Sequence, residues 1–580
     1  MIKSRPAFNL LIGGRAGEGV DVTGQILASA VSSAGWFFHI NNEIQNVIQG
    51  YHNTLQILIS LEPLFSHSSR FSAILAMDED TLAQDLQTLE PDGCLIYDEI
   101  WTLNDESFKG CAYPVPFNDL AMATGGTKLM RNMVGLGVIA GMIGLDEDNV
   151  VKAINNRFSK KSDDVIEKNI LAMRAGYEQA KKIATDQRDF KIVPQTHTEP
   201  LLITSGNMLA AMAAIKAGCR FFSAYPMTPS TSILHFLAKH AAEYKMSVHH
   251  VEDELSAVNM AIGAGFAGAR SMVATSGGGY ALMTEAISLA GMLEVPVVII
   301  EVQRPGPSTG LPTRTGQGDL RQVLHAGQGD FPHIVLSPGT HEEVFGLVFE
   351  AFNMAEKYQC PVTVLMEKYL AESFVNLPRP DTRGLSVDRG LLATNDNLDI
   401  GEVYQRYKIS ADGISPRSIP GMVGGSHTAS SYEHGEDGYF TEDPAYVSKM
   451  NEKRMCKMET LSKTLPAIAL EGVPDAEVTL VCWGSTLGPA RQATVLLKND
   501  GVTANILHIK YLRPLQPMVH ELLSKSKRPI LIEGNISAQL GGLIREQTGY
   551  EIVDKILDYS GRPFAPERIA ERIKRILTAI

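Results

Sequence analysis

The sequence predicts an α/β protein built as three parallel-sheet domains. Short apolar runs recur along its 580 residues, each followed by a stretch of helical character, the pattern of a parallel sheet with crossover helices. A polar, aperiodic segment at 187–200 and a stretch at 376–470 rich in Gly, Ser, Pro, His and acids interrupt that alternation. Length agrees, because at roughly 150 residues per domain such a chain divides into three or four units.

In chain order, residues 8–12 form an apolar strand entering Gly13-Gly14-Arg15-Ala16-Gly17-Glu18-Gly19, and 20–33 read as an amphipathic helix. Strand-like runs at 56–59, 73–76 and 94–97 complete a first domain, 1–186. Residues 187–200 read as a linker. The second domain, 201–375, opens on Leu201-Leu202-Ile203 and adds strands at 271–274, 297–300 and 362–365. Residues 376–470 lack long apolar periodicity and are expected to lie as an extended connector over other domains. The third domain, 471–580, carries strands at 477–481, 505–508 and 529–533.

A hydrophobic content of 44% with 20% charged residues is that of an ordinary globular protein. The formal charge of -13 argues against a nucleic-acid or anionic-membrane surface, either of which needs a clustered basic face. The most apolar run, 293–302, contains Glu294 and Pro296 and is well short of the roughly 18 to 20 residues that span a bilayer. Residues 1–6 pass directly into the first strand, unlike a signal peptide, so a cytoplasmic location is expected. The six cysteines, at 94, 111, 219, 360, 456 and 482, show no C-x-x-C spacing. They read as isolated thiols, and any iron–sulfur cluster working with this chain belongs on another.

Four segments carry the chemistry. In Tyr225-Pro226-Met227-Thr228-Pro229-Ser230-Thr231 the prolines fix φ and push their predecessors to extended conformations. Thr228, Ser230 and Thr231 supply hydroxyls beside the free N–H groups of a following helix; a plain helix cap is the alternative. Glu252-Asp253-Glu254 opens a helix, where acids also serve simple helix-end electrostatics. Thr275-Ser276-Gly277-Gly278-Gly279-Tyr280 ends a strand and opens a helix, a loop that lets a ligand approach backbone amides, although such turns are common. The stretch from Gln303 to Arg314 is a rigid loop with two arginines, Arg304 and Arg314, in an acidic chain, and a guanidinium fork suits a carboxylate. The turn after the first strand has its glycines at 14, 17 and 19, the wrong order for the nicotinamide fingerprint. There is no Gly-Asp-Gly followed by Asn-Asn of a magnesium-diphosphate site; Gly318-Asp319 and Asp500-Gly501 lack that context. No metal ligands are assigned to this chain.

Together these motifs resemble the 2-oxoacid:ferredoxin oxidoreductases, thiamine-diphosphate enzymes that make acyl-CoA from 2-oxoacids. The resemblance covers the whole chain: a γ-type Rossmann-like domain ahead of a thiamine-diphosphate pyrimidine-type domain, then a transketolase-C-terminal-like domain. It implies that Thr228, with Tyr225 and Thr231, and Arg314 bind the substrate carboxylate; Met227 stands where the family has Ile. It implies that Glu254, with Glu252 as the alternative, activates the cofactor by hydrogen bonding to its aminopyrimidine, and that Ser276, Gly277 and Gly278 lie against the cofactor. Gly14, Gly17 and Gly19 match a γ-domain loop that is a candidate for CoA or phosphate, with Ala16 and Glu18 departing from its commonest residues. The implied activity is oxidative decarboxylation of 2-oxoglutarate with CoA to succinyl-CoA and CO2, reducing ferredoxin. Pyruvate or branched-chain 2-oxoacids are the alternative substrates, and a catalytically silent CoA- or nucleotide-binding regulatory subunit is the alternative class. The resemblance further implies a partner β subunit of about 300 residues that supplies the diphosphate site, Mg2+ and a 4Fe-4S cluster, in an (αβ)2 heterotetramer.

Overall fold

The structure is a computed structural model that describes residues 7–15, 17–43, 52–103, 108, 110–183, 190–197, 200–394, 398 and 401–579. Ala16 of the glycine turn and part of the expected linker lie outside the described residues. The chain divides into two compact units: residues 1–205, 372–379 and 565–567 form the first, and the remainder forms the second. Among the described residues, no helix is long and apolar enough to cross a membrane.

The first unit is built on an eight-stranded sheet. Its strands run, in spatial order, Cys111–Val115, Leu89–Asp98, Phe71–Ala76, Ala7–Arg15, His52–Ser60, Phe37–Glu43, Phe374–Pro378 and Leu201–Ser205. The first four are parallel as expected, whereas every later pairing is antiparallel. The sheet is therefore mixed. Between Glu43 and His52 too few residues remain for the crossover of a dozen or more that a parallel neighbour needs, so that pair folds back antiparallel. The strand at 201–205 also differs from the sequence reading, because it closes the edge of this sheet instead of opening the second domain. It pairs with Phe374–Pro378, and Ile203 and Phe374 pack on the core of Leu10, Ile12, Ile57, Ile59 and Leu75. Asn376 secures the insertion, accepting Phe38 N at 2.9 Å and donating to Ser32 Oγ and Trp36 O, each at 2.9 Å.

The second unit holds two sheets. The larger runs Tyr511–Arg513, Ile334–Leu336, Pro361–Glu367, Val297–Gln303, Ser271–Thr275, Phe221–Ala224 and Ser247–His250, parallel except for the first pair. The smaller runs Glu471–Gly472, Ala504–His508, Val478–Cys482, Pro529–Glu533 and Asp554–Leu557, again parallel except at Glu471–Gly472. Val273, Ile299 and Leu365 of one sheet share a core with Val481, Leu507 and Leu531 of the other. Strands covered on both faces read as continuous apolar runs, which is why these were legible.

The connector is less extended than expected, for Pro444–Ser462 is a helix. Its buried face sets the cations Lys453, Arg454 and Lys457 between Met450 and Leu461, so its apolar period is broken at the centre. Lys453 and Lys457 close on the fully buried Glu294, at 2.5 Å each. Arg417 and Arg270 meet the buried Glu356 at 2.8 and 2.9 Å.

Candidate functional site

In the larger sheet of the second unit the chain passes from Phe221–Ala224 to Ser247–His250 on one side, then returns to place Ser271–Thr275 on the other. The order reverses at the pair Phe221–Ala224 and Ser271–Thr275. Open α/β sheets bind ligands in the crevice beyond the carboxyl ends of the strands that flank such a reversal. Those two strand ends lead into Tyr225 and Ser276, the starts of the proline turn and of the glycine loop.

The turn is braced internally. Ser230 Oγ donates to Met227 O at 2.8 Å, so that hydroxyl is spent on the turn, and Asn207 Nδ2 donates to Pro229 O at 2.8 Å. Thr231 opens the helix Thr231–His240. Thr228 is exposed and Tyr225 is 39% exposed, its ring edge-on to His250. The Thr228 carbonyl accepts from Arg304 Nη1 at 2.8 Å, which ties the proline turn to the 303–314 loop.

Glu254 begins the helix Glu254–Phe266, whose cap Asp253 accepts from Ser256 N at 2.7 Å. Its own side chain is 3% exposed, and Oε1 has no hydrogen-bond partner. A buried, unpartnered carboxylate oxygen is costly unless something completes it. The glycine loop explains how it is housed: a Cβ on Gly279 would lie 2.6 Å from Glu254 Oε1 and collide with Thr275 Oγ1. Ser276 is fully buried, with Oγ also unpartnered. Gly278 is exposed and a Cβ there meets nothing within 4 Å. This chain therefore does not itself require glycine at 278, although a ligand approaching the backbone would. Two orphaned polar atoms beside an open glycine at a helix N-terminus fit an aminopyrimidine with a polar edge.

A cavity of about 850 Å3 adjoins the loop, its wall including Gly277, Gly278, Arg304, Asp319, Gln322 and Asn535. Arg304 makes a single hydrogen bond among the described residues. Arg314 is not on this wall; it lies half-buried beside Gly561. Of the two arginines in the loop, the fold thus brings Arg304, and not the one favoured by resemblance, against Thr228. Burial pushes Asp319 up to about 6, against the Glu301 hydrogen bond and the Arg304 charge that pull it down. Burial likewise pushes Glu367 and Glu533 up to about 7 each. Gln317, fully buried next to these acids, donates to Glu367 Oε1 at 2.5 Å and to Trp483 O at 2.9 Å. The sequence reading preferred Arg314 to Arg304, weighed Asp319 only as part of a magnesium-diphosphate motif that it set aside, and passed over Glu301. One signal was available, the lone acid within the apolar run that becomes Val297–Gln303.

In the first unit, Gly17 and Gly19 have φ of 93° and 84°, which only glycine adopts freely. Glu18 folds back over the turn, Oε2 accepting Arg15 N at 3.0 Å and Oε1 meeting Arg131 at 2.5 Å. The turn's own carboxylate thus takes an amide and a guanidinium that a phosphate would use, and a Cβ on Gly14 would crowd Met77 and Val20 at 3.0 Å. This geometry favours a structural role for Gly14, Gly17 and Gly19.

A family model for pyruvate flavodoxin/ferredoxin oxidoreductase, thiamine diphosphate-binding, matches residues 212–453, and one for pyruvate ferredoxin/flavodoxin oxidoreductase matches residues 9–179. The 2-oxoacid:ferredoxin oxidoreductase 1 subunit alpha of Sulfurisphaera tokodaii is 31% identical, covering 98% of this chain and 97% of its own. The 2-oxoglutarate oxidoreductase subunit KorA of Mycobacterium tuberculosis is 30% identical, covering 77% of this chain and 68% of its own. Among solved structures, the 2-oxoglutarate:ferredoxin oxidoreductase of Magnetococcus marinus, with 2-oxoglutarate, coenzyme A and succinyl-CoA bound, matches with a TM-score of 0.93. That match is at 31% identity and covers 98% of this chain and 99% of the other.

Proposed function

The chain belongs to the 2-oxoacid:ferredoxin oxidoreductase family, aligning end to end with its alpha subunits, and from that premise we propose that it converts 2-oxoglutarate and CoA to succinyl-CoA and CO2, passing the electrons to ferredoxin. The observation that carries the site is the buried Glu254 carboxylate with an unpartnered oxygen, set against Gly279 at the strand-order reversal. The substrate choice draws on the 2-oxoglutarate-named relatives and the ligands of the Magnetococcus marinus protein.

Thiamine diphosphate, when bound, supplies a nucleophilic carbon and an electron sink for loss of CO2. Glu254, Ser276 and the backbone of Gly277 and Gly278 would hold its pyrimidine end. Glu254 Oε1 holds and returns the proton that cofactor activation requires, and its burial keeps water from competing for that proton. Arg304 presents its remaining guanidinium N–H groups to the substrate carboxylate, and the Thr228 hydroxyl stands beside them on the turn that Arg304 anchors. Arg314 acts from further back, shaping the loop that carries Arg304.

Around Glu254, the helix Glu254–Phe266 exposes Leu255 at 45% and Met260 at 37%, and the next helix exposes Leu282 at 49%. We assign this apolar face to the β subunit, which in this reading brings the diphosphate site, Mg2+, the 4Fe-4S cluster and, with a second αβ pair, the heterotetramer. In the assembled complex, kcat/KM should be highest for 2-oxoglutarate, ahead of pyruvate and branched-chain 2-oxoacids, by CoA-dependent ferredoxin reduction. A complex that prefers another 2-oxoacid would overturn the substrate assignment, and one that oxidises none would return the chain to a regulatory reading.

A further inference from the structure

Two carboxyl groups, Asp319 on the cavity wall and the fully buried Glu301, have no part in that mechanism. Glu301 lies in the apolar strand Val297–Gln303, fully buried, and neither of its oxygens has a hydrogen-bond donor. Asp319 Oδ2 is buried and lacks a donor as well. Asp319 N donates to Gln303 Oε1 at 3.1 Å, and Gln303 stands two residues beyond Glu301 on the same face of the strand, which sets the two carboxyls beside each other, where both cannot be ionised but one proton between them satisfies both. Asp319 also lies on the cavity wall, and Arg304 is the charge that faces it. The Asp319 carboxyl fills the space that a side chain at Gly277 would need, directly at the start of the helix Gly277–Met292.

We propose that Glu301 keeps a proton and donates it to Asp319, and that this hydrogen bond holds Asp319 back from Arg304, making the pair a positioning device for the 2-oxoacid carboxylate. The inference rests on the proposed reaction, in which Arg304 takes that carboxylate. Deprived of its donor, Asp319 would turn to the guanidinium across the cavity and compete with the substrate for it. The charged and titratable groups that face the pair are Arg304 from the loop after the strand, Glu367 from Pro361–Glu367 and Tyr280 from Gly277–Met292, while Glu254 abuts that helix at Gly279. Burial raises Glu301, and the like charges of Asp319 and Glu367 raise it further. The proton shared at neutral pH therefore resides on Glu301, and Asp319 takes up a second one only as pH falls through about 6. Below that pH Arg304 is uncompensated, so the KM for the 2-oxoacid should fall.

The test uses the assembled αβ complex with 2-oxoglutarate and CoA varied separately. Glu301→Gln retains a donor and should keep the wild-type KM values, whereas Glu301→Val, which cannot donate, should raise the KM for 2-oxoglutarate about 10-fold and that for CoA less than about 2-fold. Asp319→Asn should flatten the KM change near pH 6. Equal behaviour of the Gln and Val variants, or an Asp319→Asn profile that retains the wild-type inflection, would overturn the proposal, and the second result decides if the Val variant does not fold. A wild-type complex inactive on every 2-oxoacid would instead overturn the reaction and this proposal with it.

Discussion

Glu254 Oε1 is buried without a donor, and that unmet demand is what makes this carboxylate, and not its exposed neighbour Glu252, the candidate for proton exchange with a cofactor. Glu254→Gln keeps the size and the burial but cannot carry the proton. Turnover should fall by roughly 10²- to 10⁴-fold, with the thermal unfolding midpoint unchanged by calorimetry. The two loop arginines separate in the same way. Arg304→Lys should raise the KM for the 2-oxoacid about 10-fold and spare that for CoA, because a point charge replaces a fork that also anchors Thr228 O. Arg314→Lys should change the same constant by less than about 3-fold. Steady-state kinetics of both variants decide the order, and a larger effect at 314 would move the carboxylate to that residue.

At the scale of elements, the helix Gly277–Met292 is placed by three consecutive glycines with different jobs. Gly277 makes room for Asp319, Gly279 makes room for Glu254 and Thr275, and Gly278 faces open space. Gly279→Ala should therefore destabilise the fold by about 1–3 kcal/mol through overpacking and also abolish turnover by displacing the Glu254 carboxylate. Gly278→Ala should leave the melting temperature equal or higher, since alanine is the better helix former by about 1 kcal/mol, yet weaken binding of thiamine diphosphate, measured by calorimetric titration of the complex. If Gly278→Ala binds the cofactor as wild type does, the loop backbone is not its seat.

At the scale of the molecule, the chain interleaves its two units: residues 372–379 return to the first unit's sheet after six strands of the second unit's larger sheet, whose edge strand Tyr511–Arg513 is added only later. Leu255, Met260 and Leu282 are exposed on the two helices that open at Glu254 and at the glycine loop, and in the proposed reading the β subunit covers them and completes the site. The purified chain alone should accordingly show no 2-oxoglutarate-dependent ferredoxin reduction and no bound iron by elemental analysis, and activity should return on mixing with the β subunit. Turnover by the isolated chain would show that the site is complete without a partner.

What the sequence determined by itself was whatever depends on neighbours in the chain. The strand ends, the proline turn, the acid at a helix start and the glycine loop are local, and strands buried on both faces announce themselves as apolar runs. Three matters waited for the tertiary structure. The strands Leu201–Ser205 and Phe374–Pro378 are apolar wherever they pair, so only the packed core could show that both belong to the first unit's sheet. The helix Pro444–Ser462 buries lysines against Glu294, a reversal of polarity that no hydrophobic period can register. Arg304 and Arg314 share one short loop with the same chemistry, and Glu301 and Asp319 sit on different segments. Which guanidinium reaches Thr228 and which carboxyls share a proton are facts of distance, and distance across a fold is decided by the whole core and not by spacing along the chain.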